Sequence, residues 1–256
     1  MMKVTAFVGS GRKKHTYNAS EQFLKNLQSL GNIEYEIVML SDYNLQTCKG
    51  CSLCLDKGEE FCPLKDDRDK LIEKIINSDG IIFASPNYSF QVSGLMKIFL
   101  DRLAFFFHRP SFFGKTFTSI VVQGIYGGKD IVKYFNFIGK ALGFNVVKGS
   151  FITTLEPMTE KGQKKINDLI DKQSKKFYSK LIKKEYPTPS LFELMIFRMS
   201  RTMRKIMLNE NFRDYTYFKK VGWFESDFYY PVKLNPLKKL IGKLFDIMAT
   251  NMTKSR

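Results

Sequence analysis

The chain has 256 residues, of which 44% are hydrophobic and 26% charged, and its formal net charge is +16. A chain of this length can bury a substantial core as one domain, or as one domain with an extension. It contains no apolar run long enough for a transmembrane helix, and Met1–Ser10 lacks the pattern of a signal peptide. We therefore expect a cytoplasmic protein.

Short apolar runs alternate with amphipathic helical segments along the first 184 residues. Strands are predicted at Lys3–Ser10, Tyr35–Leu40, Gly80–Pro86, Thr116–Gly124 and Asn145–Thr154, and helices at Ala19–Leu30, Asp66–Ser78, Val92–Phe107, Asp130–Leu142 and Thr159–Lys184. This alternation predicts right-handed βαβ units in a doubly wound α/β fold, a five-stranded parallel sheet of order 2-1-3-4-5. A ligand then binds beyond the carboxyl ends of the strands, beside strand one.

The loops after predicted strands one, three and four are unusual. "GSGRKKHTYN" (Gly9–Asn18) places glycine, hydroxyls and cations at a helix start, where free backbone N–H groups favour a phosphate. "SPNYSFQVSGLMKIFLDR" (Ser85–Arg102) and "QGIYGGKD" (Gln123–Asp130) each combine a turn residue with a tyrosine and small neighbours, which would admit a flat ring. Each loop alone is compatible with an ordinary turn, but their convergence at one sheet edge indicates a binding site.

All four cysteines lie within fifteen positions, as Cys-x2-Cys-x2-Cys-x7-Cys followed by Pro63. Bacterial ferredoxin runs begin in the same way and also end in Cys-Pro, but with a shorter last gap. In a reducing compartment, clustered cysteines indicate metal or redox chemistry rather than structural disulfides. An iron–sulfur cluster, a zinc site and a plain loop with or without reactive thiols all remain open.

Together the three loops resemble the NAD(P)H-dependent FMN reductase family of flavodoxin-like proteins, and the cysteine run resembles its branch of iron–sulfur flavoproteins. The resemblance covers roughly residues 1–180 and implies FMN, NAD(P)H as a transient co-substrate and, through the cysteines, a 4Fe–4S cluster. It implies that the phosphate is held by Ser10, Arg12, His15, Thr16 and Tyr17. It implies that the flavin ring lies against Pro86, Asn87, Tyr88, Ser89, Phe90, Gly124, Tyr126 and Gly127. The implied cluster ligands are Cys48, Cys51, Cys54 and Cys62.

We therefore predict an FMN-dependent oxidoreductase that takes hydride from NAD(P)H and reduces a quinone, a small electrophile or an electron-carrier protein. No side chain is assigned as a catalyst, because the cofactor supplies the reactivity. The alternative is a flavodoxin-like or iron–sulfur flavoprotein electron carrier without a substrate turnover of its own.

Residues 185–256 lie outside the flavodoxin-like domain of residues 1–184 and form a basic, aromatic-rich extension. Residues 160–256 carry 22 Lys and Arg against 10 Asp and Glu, so the basic character belongs to this end. Helices are predicted at Thr188–Leu208, which has a start signal in Ser190 and Glu193, and at Pro236–Met248. We expect the extension to pack on the core or in a homodimer or higher homo-oligomer. Peripheral membrane contact is a further option, and nucleic-acid binding is not expected because no motif accompanies the charge.

Overall fold

The structure is a computed structural model, and it describes residues 1–254. The chain divides into two compact units, the first made of Met1–Cys48 and Leu64–Glu185, the second of Lys49–Pro63 and the chain from Tyr186 onward. The second unit thus contains most of the cysteine run, whereas the predicted boundary at residue 184 places that run in the first domain. No helix within residues 1–254 is long and apolar enough to cross a lipid bilayer.

The elements follow the predicted alternation of strands and helices. The strands are β1 (Met2–Val8), β2 (Ile33–Met39), β3 (Gly80–Tyr88), β4 (Gln91–Val92), β5 (Thr116–Gln123), β6 (Asn145–Val146) and β7 (Ser150–Thr153). The helices of the first unit are α1 (His15–Leu30), α3 (Arg68–Ile76), α4 (Gly94–Arg102), α5 (Ala104–His108), α6 (Gly128–Ala141) and α7 (Glu160–Leu181). Those of the second unit are α2 (Leu53–Asp56), α8 (Leu191–Met207), α9 (Arg213–Lys220) and α10 (Pro236–Lys254).

The sheet of the first unit runs in the order β2-β1-β3-β5-β6, with every one of these pairs parallel. This confirms the predicted doubly wound order, with one difference at the edge. The predicted fifth strand is interrupted, because β6 and β7 both pair with β5 but are separated by residues 147–149. The backbone approaches β5 so closely there that a Cβ on Gly149 would lie 2.7 Å from the Ser119 carbonyl oxygen.

Alternate residues of the central strands pack into two different cores, because successive side chains of a strand point to opposite faces of the sheet. Phe7 and Phe83 face one side, where their rings contact Phe99 of α4, and Phe83 also contacts Phe117 and Phe135. On the other side, residues such as Val4, Ala6 and Ile82 pack with α1 and α7 through Phe23, Leu24 and Phe177. Burial on both faces explains the near-continuous apolar runs of these strands.

The predicted helix Val92–Phe107 is divided. Gln91 and Val92 form β4, antiparallel to the end of β3, and Ser93 caps α4 by accepting a hydrogen bond from the Met96 N–H. The chain then turns at Leu103, whose N–H donates to the Leu100 carbonyl at 3.1 Å, a tighter turn than an α-helix. α4 and α5 are therefore separate helices.

The second unit is helical, as predicted, with α9 as an additional element. The capping box at the start of α8 is present: Ser190 and Glu193 exchange side-chain and backbone hydrogen bonds. Trp223, Phe224 and Phe228 are buried among aromatic neighbours. Glu59 lies 3.2 Å from Arg213 of α9, an ion pair that joins the cysteine-containing segment to the C-terminal helices of the same unit.

Candidate functional site

A cleft of about 150 Å³ opens at the carboxyl ends of β1, β3 and β5. These ends meet at one edge of the sheet because the three strands are parallel neighbours. All three predicted loops contribute to the cleft. Its lining consists of Ser10, Arg12, Lys14, His15, Thr16, Pro86, Asn87, Tyr88, Val122, Gln123, Gly124 and Thr154.

One end of the cleft is formed by the start of α1. No side chain caps this helix and its first turn contains no acidic residue, so its first N–H groups are available to an anion. Arg12, Lys14 and His15 line the cleft beside it, while Ser10 and Thr16 are buried in its wall. This end therefore has the donors and the positive charge that a phosphate monoester requires.

Two neighbouring residues of the same loop lie elsewhere. Tyr17 packs against the core on the α1 side of the sheet, and its hydroxyl lies 3.4 Å from a Glu21 carboxylate oxygen. The Lys13 ammonium lies over the Tyr17 ring, 5.6 Å from its centroid. Neither side chain lines the cleft.

The other end of the cleft is formed by the hairpin between β3 and β4. Ser89 and Phe90, its two turn residues, have φ of 49° and 62°, the left-handed pair that two-residue hairpins of type I′ need. Non-glycine residues rarely adopt this conformation, and such strain concentrates at functional sites. The turn holds Tyr88 and Phe90 exposed at the rim, where Phe90 stacks on Tyr126 with ring centroids 5.0 Å apart.

Asn87 joins two of the loops. Its Nδ2 donates a hydrogen bond of 2.8 Å to the Tyr126 carbonyl, while its Oδ1 is buried and has no hydrogen-bond partner. Such an orphaned acceptor is costly unless a ligand satisfies it. A Cβ on Gly127, at φ 97°, would lie 2.9 Å from Asn87 Nδ2, so the close approach of the loops requires glycine there.

These walls fit FMN. The basic start of α1 suits the phosphate, the orphaned Asn87 oxygen suits an N–H donor of the ring system, and the aromatic rim suits a flat heterocycle. Five residues implied by the resemblance do not line the cleft: Tyr17, Ser89, Phe90, Tyr126 and Gly127.

Four lining residues were not among the predicted ones: Lys14, Val122, Gln123 and Thr154. Gln123 shapes the loop after β5, because its Oε1 accepts from the Gly128 N–H and its Nε2 donates to Thr153 Oγ1 at 2.9 Å. Thr154 directly follows β7, so the rule that places ligands at carboxyl strand ends could have identified it.

The cysteines have different environments. Cys48 and Cys51 are exposed, Cys54 is half-buried and Cys62 is buried, and no disulfide links any of the four. Within residues 1–254, no three or more Cys, His, Asp or Glu side chains are grouped as metal ligands. Cys48 belongs to the first unit and the other three cysteines to the second.

The two chain segments that flank the cysteine run are joined within the first unit. Asp66 Oδ1 accepts a hydrogen bond from Arg102 at 2.9 Å and its Oδ2 accepts one from the Gln46 N–H at 2.9 Å. Burial raises the pKa of the Asp66 carboxyl, but the hydrogen bonds from Arg102, Gln46 and the Arg68 N–H outweigh burial and hold that pKa below its usual range. Asp67 accepts in the same way from the Asn44 N–H.

Comparison with known proteins agrees with this geometry. The sequence profile of the NADPH-dependent FMN reductase family matches residues 2–155. An iron-sulfur flavoprotein of Archaeoglobus fulgidus is 32% identical over 87% of this chain and 100% of its own length, and one of Clostridioides difficile is 29% identical over 84% and 94%. The crystal structure of RosB with a bound 8-demethyl-8-formylriboflavin-5'-phosphate intermediate shares the fold, with a TM-score of 0.60, 14% identity and 92% of each chain covered.

Proposed function

This chain belongs to the family of NADPH-dependent FMN reductases, and we propose that the cleft at the carboxyl ends of β1, β3 and β5 is where it holds FMN. One observation carries the proposal. The same cleft contains the start of α1, which is basic and has no side-chain cap, and the Asn87 side chain, whose Oδ1 is buried and has no hydrogen-bond partner. Exposed aromatic side chains lie beside these two features. The protein is an FMN-dependent oxidoreductase that uses NAD(P)H, and the roles of its residues follow from this placement.

In this proposal, the N–H groups at the start of α1, with Arg12, Lys14 and His15, hold the phosphate. Asn87 accepts a hydrogen bond from the ring system, and Tyr88 limits the access of water to it. Bound FMN supplies the hydride-accepting chemistry, so no side chain needs to act as an acid or base. The cleft is open to solvent, so a nicotinamide could reach a flavin ring held there.

We propose that the electron acceptor is a quinone or another small electrophile, or else a carrier protein. The support for a small planar acceptor is the exposed aromatic rim of Tyr88, Phe90 and Tyr126, which offers stacking surfaces beside the cleft. The alternative function is that of an electron carrier without turnover. It needs the same FMN cleft, but it does not need space for a nicotinamide beside the flavin.

The flavin content and the anaerobic reduction of purified protein test these functions directly. We expect yellow protein that releases FMN on acid treatment, and apoprotein that takes FMN up again. Anaerobic addition of NADH or NADPH should bleach the flavin rapidly in a reductase, whereas slow or absent bleaching would favour the carrier. Colourless protein that fails to take up FMN would contradict both.

We further propose that Cys48, Cys51, Cys54 and Cys62 hold a 4Fe–4S cluster when it is bound, although the structure does not group their thiols as metal ligands. The support is their spacing, the Pro63 that follows, and relatives named iron-sulfur flavoproteins. Such a cluster would let a two-electron flavin pass electrons singly. Iron and acid-labile sulfide in anaerobically purified protein should each approach four per chain. Zinc without sulfide, or four alkylatable thiols without metal, would contradict the cluster.

We also propose a homo-oligomer in the cytoplasm. Leu240, Leu244 and Ile247 form an apolar stripe on α10, and each is at least half exposed in the single chain. A stripe of this kind normally marks an interface. A second copy of the chain is the proposed occupant, and contact with an anionic membrane surface is the competing possibility.

A further inference from the structure

Glu156 lies beside the phosphate end of the FMN cleft, although it does not itself line the cleft. It follows β7, and the edge of the sheet continues to Thr154, whose N–H donates to the Gln123 carbonyl at 2.9 Å. Glu156 Oε2 accepts a hydrogen bond from the Met158 N–H at 3.1 Å. The residue is therefore held twice, by the strand end that precedes it and through its own carboxylate.

The partner of this carboxylate is His15, the first residue of α1. Glu156 Oε1 lies 3.3 Å from His15 Nε2, and His15 lines the cleft together with Arg12 and Lys14. The two side chains are 42% and 63% exposed, so their ion pair by itself adds little to the stability of the fold. Its effect is on the ring: with Nε2 directed at Glu156, Nδ1 is the nitrogen that remains for a ligand.

An imidazole between two anions must donate from both of its nitrogens. A neutral ring has one N–H group, whereas the protonated ring has two. A carboxylate at Nε2 and a phosphate at Nδ1 are therefore both satisfied only by the protonated ring, and such charged hydrogen bonds are stronger than neutral ones. A phosphate that binds beside His15 should accordingly transfer a proton from the buffer to that ring.

The surroundings of His15 contain few other ionisable groups. Those that line the cleft with it are Arg12, Lys14 and Tyr88. His15 also lines an adjoining cavity between α1, β7 and α7, where every other lining side chain is neutral. Glu156 is thus the carboxylate that faces this ring.

We propose that Glu156 is a positioning residue for the flavin phosphate, which acts through His15 and makes phosphate binding take up a proton. The inference rests on the proposed function, because it takes the start of α1 as the phosphate site. The competing role for a carboxylate near a phosphate is repulsion. The two roles have opposite signs: loss of a positioning carboxylate weakens FMN binding, whereas loss of a repelling carboxylate tightens it.

Three substitutions separate these roles. Glu156→Gln keeps an oxygen that can accept from Nε2 but removes the charge, and His15→Ala removes the ring. Glu160→Gln removes the same charge from the exposed first residue of α7 and is the matched control. Apoprotein of each variant is titrated with FMN and with riboflavin, which lacks the phosphate.

Proton uptake is measured by calorimetric FMN titrations in buffers of different ionisation enthalpy. At pH 7.5 a phosphate monoester, whose second pKa is about 6, is already mostly dianionic, so the uptake reports on the protein. The wild type should take up a fraction of a proton, which Glu160→Gln retains and which His15→Ala and Glu156→Gln both lose.

His15→Ala should weaken FMN binding about tenfold and Glu156→Gln about three- to tenfold, with riboflavin affinity unchanged. The double variant should bind FMN no more weakly than His15→Ala alone, because Glu156 acts through the ring. The proposal is overturned if Glu156→Gln binds FMN at least as tightly as Glu160→Gln, if riboflavin affinity falls equally, or if the wild type takes up no proton. Wild-type apoprotein without affinity for FMN would instead refute the proposed function itself.

Discussion

Two adjacent cations at the start of α1 have different surroundings. Arg12 lines the cleft, whereas Lys13 lies over the Tyr17 ring and outside the lining. Because a guanidinium–phosphate contact contributes about 1.5–3 kcal/mol, Arg12→Ala should weaken FMN binding roughly 10- to 100-fold in a fluorescence titration. Lys13→Ala removes the same charge from the same loop and should change the affinity by less than about threefold. Equal losses in the two variants would mean that only the overall charge of the loop matters.

The sequence predicts which single residues line the cleft where those residues lie at the end of a strand. Ser10 and Gly124 lie just beyond the ends of β1 and β5, Asn87 is the next-to-last residue of β3, and all three line the cleft. Tyr17 is harder to place, because the predicted first helix begins at Ala19, whereas α1 begins at His15. Each helical residue turns the side chain by about 100°, so Tyr17 points well away from His15. The orphaned Asn87 oxygen depends on the hairpin and was not visible in the sequence.

A buried ion pair joins α4 to the segments that flank the cysteine run. The side chains of Arg102 and Asp66 are only 3% and 1% exposed. Asp66→Asn removes a carboxylate from a guanidinium that stays buried, so it should lower the free energy of unfolding at pH 7 by on the order of 3 kcal/mol. Asp69→Asn is the matched control, because Asp69 pairs with Arg68 but is 77% exposed, and its loss should cost less than about 1 kcal/mol.

The effect of Asp66→Asn should also depend on pH. The pKa of Asp66 is lowered in the folded state, so the carboxylate contributes stability that is fully present above its unfolded pKa of about 3.9. That contribution is lost as the pH falls through the lower folded value. Urea unfolding at pH 7, 5 and 3 should therefore show the difference between wild type and variant shrinking only at the lowest pH. A difference that is constant across this range would mean that Asp66 acts through packing alone.

The start of α8 was recognisable from two residues. Ser190 Oγ accepts from the Glu193 N–H at 3.2 Å, and Glu193 Oε2 accepts from the Ser190 N–H at 2.8 Å. Ser190→Ala should lower the free energy of unfolding of the second unit by about 1 kcal/mol in a denaturant titration. Ser190→Asp keeps a capping oxygen and should retain most of that stability. Equal losses in both variants would show that the cap contributes little.

Elements with a local signal were predicted, and those determined by tertiary contact were not. The strands β1, β3 and β5 have largely apolar sequences, and α8 has its capping box. By contrast, β4 has two residues and exists only because the Ser89–Phe90 turn folds it onto β3. The interruption at residues 147–149 likewise contains a close approach, of Gly149 to Ser119, and the hydrophobic period of the sequence does not indicate it.

At the scale of the molecule, the basic charge and the exposed apolar surface occur together in the second unit. Residues 186–256 carry 13 Lys and Arg against 6 Asp and Glu. Several of those acids are already paired within the unit: Asp246 accepts from Arg198 and Arg201, and Arg204 contacts Asp214. The aromatic group around Trp223 is buried, but the Leu240–Leu244–Ile247 stripe of α10 is at least half exposed, so the single chain does not cover it.

We expect a second copy to cover that stripe, and paired substitutions test this. Burying one leucine contributes about 1.5–3 kcal/mol, so placing two carboxylates on the stripe removes most of the energy of a modest interface. Leu240→Glu with Leu244→Glu should therefore convert the oligomer to a monomer in light scattering coupled to gel filtration. Lys239→Glu with Lys243→Glu, which adds the same carboxylates beside the stripe, should remain oligomeric. Wild-type protein that is monomeric at micromolar concentration and binds anionic vesicles through the stripe would assign it to a membrane surface instead.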